Sequence, residues 1–135
     1  MVFAKDMLDT KVFLEKRGHK VALPEGVEEY TKGKLKILAG RRGALEGAKR
    51  KINYNLIKKH YYKIQKSDAI LVINKEKNGI KNYIGGNSFL EMGYAYILNK
   101  KIYLLNKLPK DLLIIYQELV AMKPIVLHGN LNVIK

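Results

Sequence analysis

One run of the chain holds the residue types and spacing that chemistry at a small-molecule site calls for: Ile84-Gly85-Gly86-Asn87-Ser88-Phe89-Leu90-Glu91-Met92-Gly93-Tyr94-Ala95. Paired glycines let a backbone approach a ligand closely. A helix start offers unpaired N–H groups and a positive dipole end to an anion. A strand, a loop with Gly85 and Gly86, and a helix with a carboxylate near its start suit a phosphate- or sugar-bearing molecule. Asn74 closes the apolar run ahead of this loop, and with Asn87, Ser88 and Glu91 it is expected to surround one cleft. Glu91 has two readings. Ser88-Phe89-Leu90-Glu91 fits a capping box, with the glutamate bonding back to the N-cap N–H, or the carboxylate serves a ligand.

Other chemistries find little support. His19, His60 and His128 stand alone, without HxxxH or HExxH spacing, so no metal site is expected. No Walker-type or GxGxxG loop occurs, and nothing calls for a cofactor. The absence of cysteine excludes disulfides and thiolate chemistry and fits a cytoplasmic protein. Apolar runs are too short for a membrane span, and the first residues lack the apolar run and cleavage pattern of a secretory signal.

Charge is the second feature. The chain carries 26 Lys and Arg against 12 Asp and Glu, net +14. Half of that excess falls in residues 31–51, where Lys32, Lys34, Lys36, Arg41, Arg42, Lys49, Arg50 and Lys51 face Glu46 alone. Such a patch attracts polyanions or phosphorylated ligands, although a solvated lysine-rich surface is the plainer explanation. Arg41 and Arg42 lie between Gly40 and Gly43, where they could clamp a phosphate or belong to a surface loop.

The elements that must position these groups follow from periodicity. The 135 residues, 47% hydrophobic, are enough for a single domain with one core. Val2 to Lys16 reads as a helix with Gly18 as its C′ stop. A short strand is expected over Lys20 to Leu23, ended by Pro24. Glu25 to Gly43 reads as a polar connection containing a short apolar element, Leu35 to Ala39. Leu45, Ala48, Ile52, Leu56 and Ile64 recur at helical spacing and predict one long helix, Ala44 to Gln65. Ala69 to Asn74 is an unbroken apolar run suited to a strand buried on both faces. A helix over Ser88 to Leu98, a strand over Lys101 to Leu105, a helix over Leu112 to Met122 and a strand over Pro124 to Leu127 complete the pattern. Alternation of this kind predicts an α/β fold: a doubly wound, Rossmann-like or flavodoxin-like three-layer sandwich on a mainly parallel sheet. The sheet is expected to have four strands, or five with the first lying ahead of Met1. Ala69 to Asn74 is expected at its centre, parallel to Lys101 to Leu105, with Lys20 to Leu23 on its other side, either directly or across the gap of a missing first strand.

The stretch Ser67 to Leu105, SDAILVINKEKNGIKNYIGGNSFLEMGYAYILNKKIYLL, resembles the nucleoside 2-deoxyribosyltransferase-like superfamily, and within it an uncharacterised prokaryotic branch. Shared parts are the apolar strand, the glycine-containing loop, the helix opening with a small-x-x-Glu-x-Gly-x-Ala pattern, and a lysine-rich strand start. The segment KVFLEKRGHKVALP is similar but less specific. The resemblance implies that Glu91 is a nucleophile acting on an N-glycosidic bond, with Asn74, Gly85, Gly86, Asn87 and Ser88 binding the substrate. Tyr83 and Asn82 would then stack on or bond to a base.

The chemistry suits a carboxylate. Glycosidic cleavage passes through an oxocarbenium-like state that a carboxylate can trap covalently, and water or a second base then releases the sugar. The chain departs from the pattern where active members carry a second acid at the strand end. Asn74 stands there, and it can hydrogen-bond a hydroxyl but cannot act as a general acid or base. Glu76 is the nearest substitute, and Asp68 lies at the wrong end of the strand. The loop after the family's first strand would fall at or before Met1.

Three functions follow: a nucleoside or nucleotide glycosyl transferase or hydrolase, a non-catalytic nucleotide-binding module on the same fold, and a nucleic-acid-associated basic protein. The first also implies a homo-oligomer, most simply a twofold dimer, with candidate interface elements around Tyr54, Tyr61, Tyr94 and Tyr96.

Overall fold

The structure is a computed structural model and describes residues 3–33 and 40–135. The expected apolar element Leu35 to Ala39 lies outside the described residues, as do Lys34 and Lys36. The fold is mixed α/β. Helices α1 (Ala4–Lys16), α2 (Val27–Thr31), α3 (Gly40–Asn53) and α4 (Leu56–Gln65) precede strand β1 (Ala69–Val72). Helix α5 (Gly86–Ile97), strand β2 (Lys101–Leu104), helix α6 (Leu113–Ala121) and strand β3 (Ile125–Val126) follow. The chain divides into two compact units, residues 1–63 and 64–135.

In the first unit, α1 ends where Gly18 adopts φ +90°. Its N–H bonds to Glu15 O, and the N–H of His19 reaches Leu14 O, the paired bonds of a Schellman stop. Residues 20–23 carry no strand, contrary to expectation. They are tied instead by a side chain, Lys63 Nζ donating to Leu23 O at 2.9 Å and to Glu25 Oε1 at 3.1 Å. Alternating Val21 and Leu23 make a strand only where a neighbour supplies a ladder. The connection after Pro24 also contains α2, which begins at Gly26 with φ +85°. The single long helix expected over Ala44 to Gln65 is two helices, starting earlier at Gly40. Asn55 at φ 52° breaks it, since a left-handed residue cannot continue a right-handed helix and Asn tolerates that conformation.

The second unit holds a parallel sheet in the order β1-β2-β3. Ala69 pairs with Lys101 and Val72 with Leu104 in register, and Tyr103 pairs with Ile125. The parallel pairing of β1 with β2 through helix α5 is as expected. The position is not: β2 is central and β1 stands at an edge of the described sheet. The burial patterns agree, because Ile102, Tyr103 and Leu104 are all buried whereas in β1 only Val72 is. Alternate residues Val72, Ile102 and Leu104 meet Met92 and Ala95 of α5 and Leu119 of α6 in one core cluster with Ile64 and Ile84. Two successive crossovers running the same way along a sheet place their helices on the same face, and α5 and α6 share this core.

Candidate functional site

The carboxyl ends of β1 and β2 are joined by a pair of asparagines. Asn74 and Asn106 each lie two residues beyond their strands and would continue the ladder in register. Asn74 is fully buried. Its Nδ2 donates to Asn106 O at 3.1 Å and Lys107 O at 2.9 Å, and its Oδ1 accepts from Asn106 N at 2.8 Å. Asn106 Nδ2 donates back to Asn74 O at 3.1 Å. Both amide protons of Asn74 are therefore committed, and one acceptor lone pair remains. The hydroxyl contact expected of Asn74 would have to use that lone pair. Its observed work is to hold the two strand ends together. Sequence reasoning missed Asn106, although a signal exists: AILVINK and KIYLLNK both end an apolar run in Asn-Lys.

Residues 75–85 rise from this floor. Asn78 and Gly79, at φ 51° and 78°, form a two-residue turn closed by reciprocal bonds between Lys77 and Ile80 at 3.0 and 2.9 Å. That conformation is the Asn-Gly hairpin turn, which the Asn-Gly pair itself signals. The chain returns with Tyr83 N bonded to Lys75 O at 2.9 Å. Lys77 Nζ then sits 4.9 Å from the centroid of the Tyr83 ring, a cation–π contact. Tyr83 also borders Gly85, where an added Cβ would lie 3.4 Å from the ring's Cε1.

Helix α5 begins two residues earlier than its expected start at Ser88. Gly85 is the N-cap in extended conformation, Gly86 is the first helical residue, and the first intrahelical bond is Phe89 N to Gly85 O at 3.0 Å. The N–H groups of Gly86, Asn87 and Ser88 thus precede the helical ladder and are the ones a bound anion would meet. Neither glycine has positive φ, and a Cβ on Gly86 would meet nothing within 4 Å. Backbone strain and internal packing therefore do not require glycine at 86.

This start corrects the capping box. Ser88 is the third residue of α5 and Glu91 the sixth, past the first turn, and Gly85 has no side-chain cap. Ser88, Glu91, Met92 and Ala95 follow one another at i, i+3, i+4 and i+7, which places them along one side of the helix. Met92 and Ala95 are buried, and Ser88 and Glu91 are half-buried nearer the N-terminal end; Asn87 is exposed. The helix ends in a second Schellman stop, with Asn99 at φ 57°, Asn99 N to Tyr96 O and Lys100 N to Ala95 O. Of the tyrosines expected at an interface, Tyr94 instead packs against the core cluster.

The loop thus gathers Tyr83, Gly85, Gly86 and the first N–H groups of α5, with Glu91 on the same helix and the asparagine pair closing the strand ends. Such an arrangement can take an anionic group at the helix start and a planar group against Tyr83. Glu76 is exposed in the loop. Among the described residues no group of three His, Cys, Asp or Glu side chains could hold a metal ion, and no helix is long and apolar enough to cross a membrane.

The first unit has its own open pocket of about 240 Å³, lined by Glu25, Gly26, Glu29, Arg50, Tyr54, Leu56 and Lys59. The hydrogen bond and charge of Lys63 hold the Glu25 carboxyl below its ordinary range.

Compared with models of known families, with curated proteins and with solved structures, the chain matches none.

Proposed function

We propose that the chain binds a nucleoside or nucleotide at the connection between β1 and α5 and acts on its N-glycosidic bond through Glu91. The observation that carries this reading is the start of α5 at Gly86, which takes Glu91 out of the capping position and sets it half-buried on the side of the helix that carries Ser88, near the first N–H groups. The resemblance of residues 67–105 and the parallel β1–α5–β2 crossover support it, because ligands of open α/β sheets bind outside the carboxyl ends of the strands.

In this mechanism a Glu91 carboxylate oxygen bonds to C1′ as the C1′–N bond breaks, and the electron pair leaves with the base. The base takes its proton from water, since Asn74 has none to give. Water or a second base then attacks C1′ of the glycosyl ester, and Glu91 leaves as carboxylate. The doubly wound sandwich with a fourth or fifth strand, a twofold dimer and a cytoplasmic location belong to the same proposal.

A second reading, a non-catalytic nucleotide-binding module, is favoured by one observation: both amide protons of Asn74 are committed to backbone carbonyls at the place where active members keep an acid. Incubation with a panel of deoxynucleosides and their 5′-monophosphates, with free base followed by chromatography, separates the two. Base release that Glu91→Gln abolishes supports catalysis. Saturable binding without release supports the module, and neither binding nor release ends both.

A further inference from the structure

Helix α4 presents a second surface, independent of Glu91. Leu56 and Ile64 are buried, and Lys58, Lys59 and Tyr62 are exposed at i, i+1 and i+4, one outward stripe. Tyr62 is 52% exposed between those lysines, its ring edge-on to Tyr61 at 5.7 Å. Across the break at Asn55, Tyr54 is 59% exposed with the Arg50 guanidinium 5.9 Å from its ring centroid. Exposed Arg41, Arg42 and Lys49 add charge on α3, where Glu46, the one acid of α3 and α4, pairs loosely with Lys49 at 3.9 Å. Basic side chains interleaved with exposed tyrosines match a polyanion whose units carry flat faces: phosphates meet the cations and bases stack on the rings.

We propose that the α3–α4 segment is a binding surface for single-stranded nucleic acid, with Lys49, Lys58 and Lys59 on phosphates and Tyr62 stacked on a base. The exposed apolar residues Leu45 and Ile52 of α3 and Ile57 of α4 name the competitor, an anionic lipid surface. Two features favour nucleic acid. The α3–α4 break interrupts any continuous apolar stripe, and the α4 stripe holds a tyrosine among lysines and no aliphatic side chain.

The test is fluorescence anisotropy of the full chain with a labelled mixed-sequence single-stranded oligonucleotide, beside polyphosphate of matched charge and phosphatidylserine vesicles. Three to four phosphate contacts predict that affinity falls roughly 20- to 50-fold between 50 and 200 mM salt. Lys49→Gln with Lys58→Gln and Lys59→Gln should flatten that slope. Tyr62→Ala should weaken oligonucleotide binding at least about 5-fold with the slope unchanged, and Tyr62→Phe should retain binding. All these positions are solvent-facing, so circular dichroism should match wild type. Absent binding at 50 mM salt, equal affinity for polyphosphate, preference for vesicles, or insensitivity to Tyr62→Ala would each overturn the proposal.

Discussion

At the scale of single residues, Asn74 carries the largest stake. Three hydrogen bonds end on its side chain in a fully buried setting, so Asn74→Ala would leave the Asn106 N–H and two carbonyls without partners. Urea unfolding should show a loss of roughly 2–4 kcal/mol. Asn74→Asp should cost more, because it replaces a donor to two carbonyls by another acceptor. Glu91→Gln makes the opposite contrast: stability close to wild type in the same measurement, with base release abolished. Glu25 titrates into the stability curve. Its folded pKa is depressed, so its contribution is complete above the ordinary carboxylate range and is lost as pH falls through the lowered folded value. The pair with Lys63 is 37–40% exposed and is worth at most about 1 kcal/mol. The melting-temperature gap between wild type and Glu25→Gln should therefore be visible at neutral pH and close on acidification below pH ~4.

At the scale of elements, the start of α5 separates stability from function. Gly86 is helical, has no positive φ and leaves room for a Cβ, so Gly86→Ala should stabilise by about 0.5–1 kcal/mol. If the ligand lies against this backbone, the same methyl should weaken nucleotide binding. A variant that melts higher and binds equally well would remove the ligand from that position. The sequence made several elements legible through short-range chemistry. Gly18 had to end α1, and the apolar runs before Asn74 and Asn106 had to be strands. It hid what depends on distant partners. The partners of Asn74 lie 32 and 33 residues away, so its place at a strand end was readable and its clamp was not. The strand expected at Lys20 to Leu23 failed for lack of a ladder. The break at Asn55 was hidden because Asn costs little more than its neighbours inside a helix, and the apolar spacing ran straight through it.

At the scale of the whole molecule, charge is unevenly divided. Residues 40–66 hold nine Lys and Arg against Glu46, whereas residues 82–99, which contain the Gly85–Glu91 run, hold none. The two proposed functions therefore differ in salt response: polynucleotide binding should collapse with added salt, and a nucleoside without phosphate should bind α5 almost independently of it. The proposed dimer is checked by light scattering at micromolar concentrations, where a monomer throughout would end it. On α5, Tyr96 and Ile97 remain exposed and are the side chains such an interface would cover. Helix α6 is apolar nearly all round, with Leu119 buried and Leu113 and Ile114 79% and 90% exposed. Charged replacements at 113 or 114 should change stability by under about 0.5 kcal/mol.

The asparagine pair also has a consequence in time. Because the Asn106 N–H is held by a side chain from the neighbouring strand, it should exchange with deuterium as slowly as the ladder amides of Leu105 and Leu127. The segments 72–74, 104–107 and 127–129 would then open together, as one cooperative unit. Residues 75–83, held by the turn at Asn78–Gly79 and the Tyr83 N–H and ending before the buried Ile84, can open without disturbing it. A ligand at this end of the sheet should slow exchange in that loop and leave the strand ends unchanged.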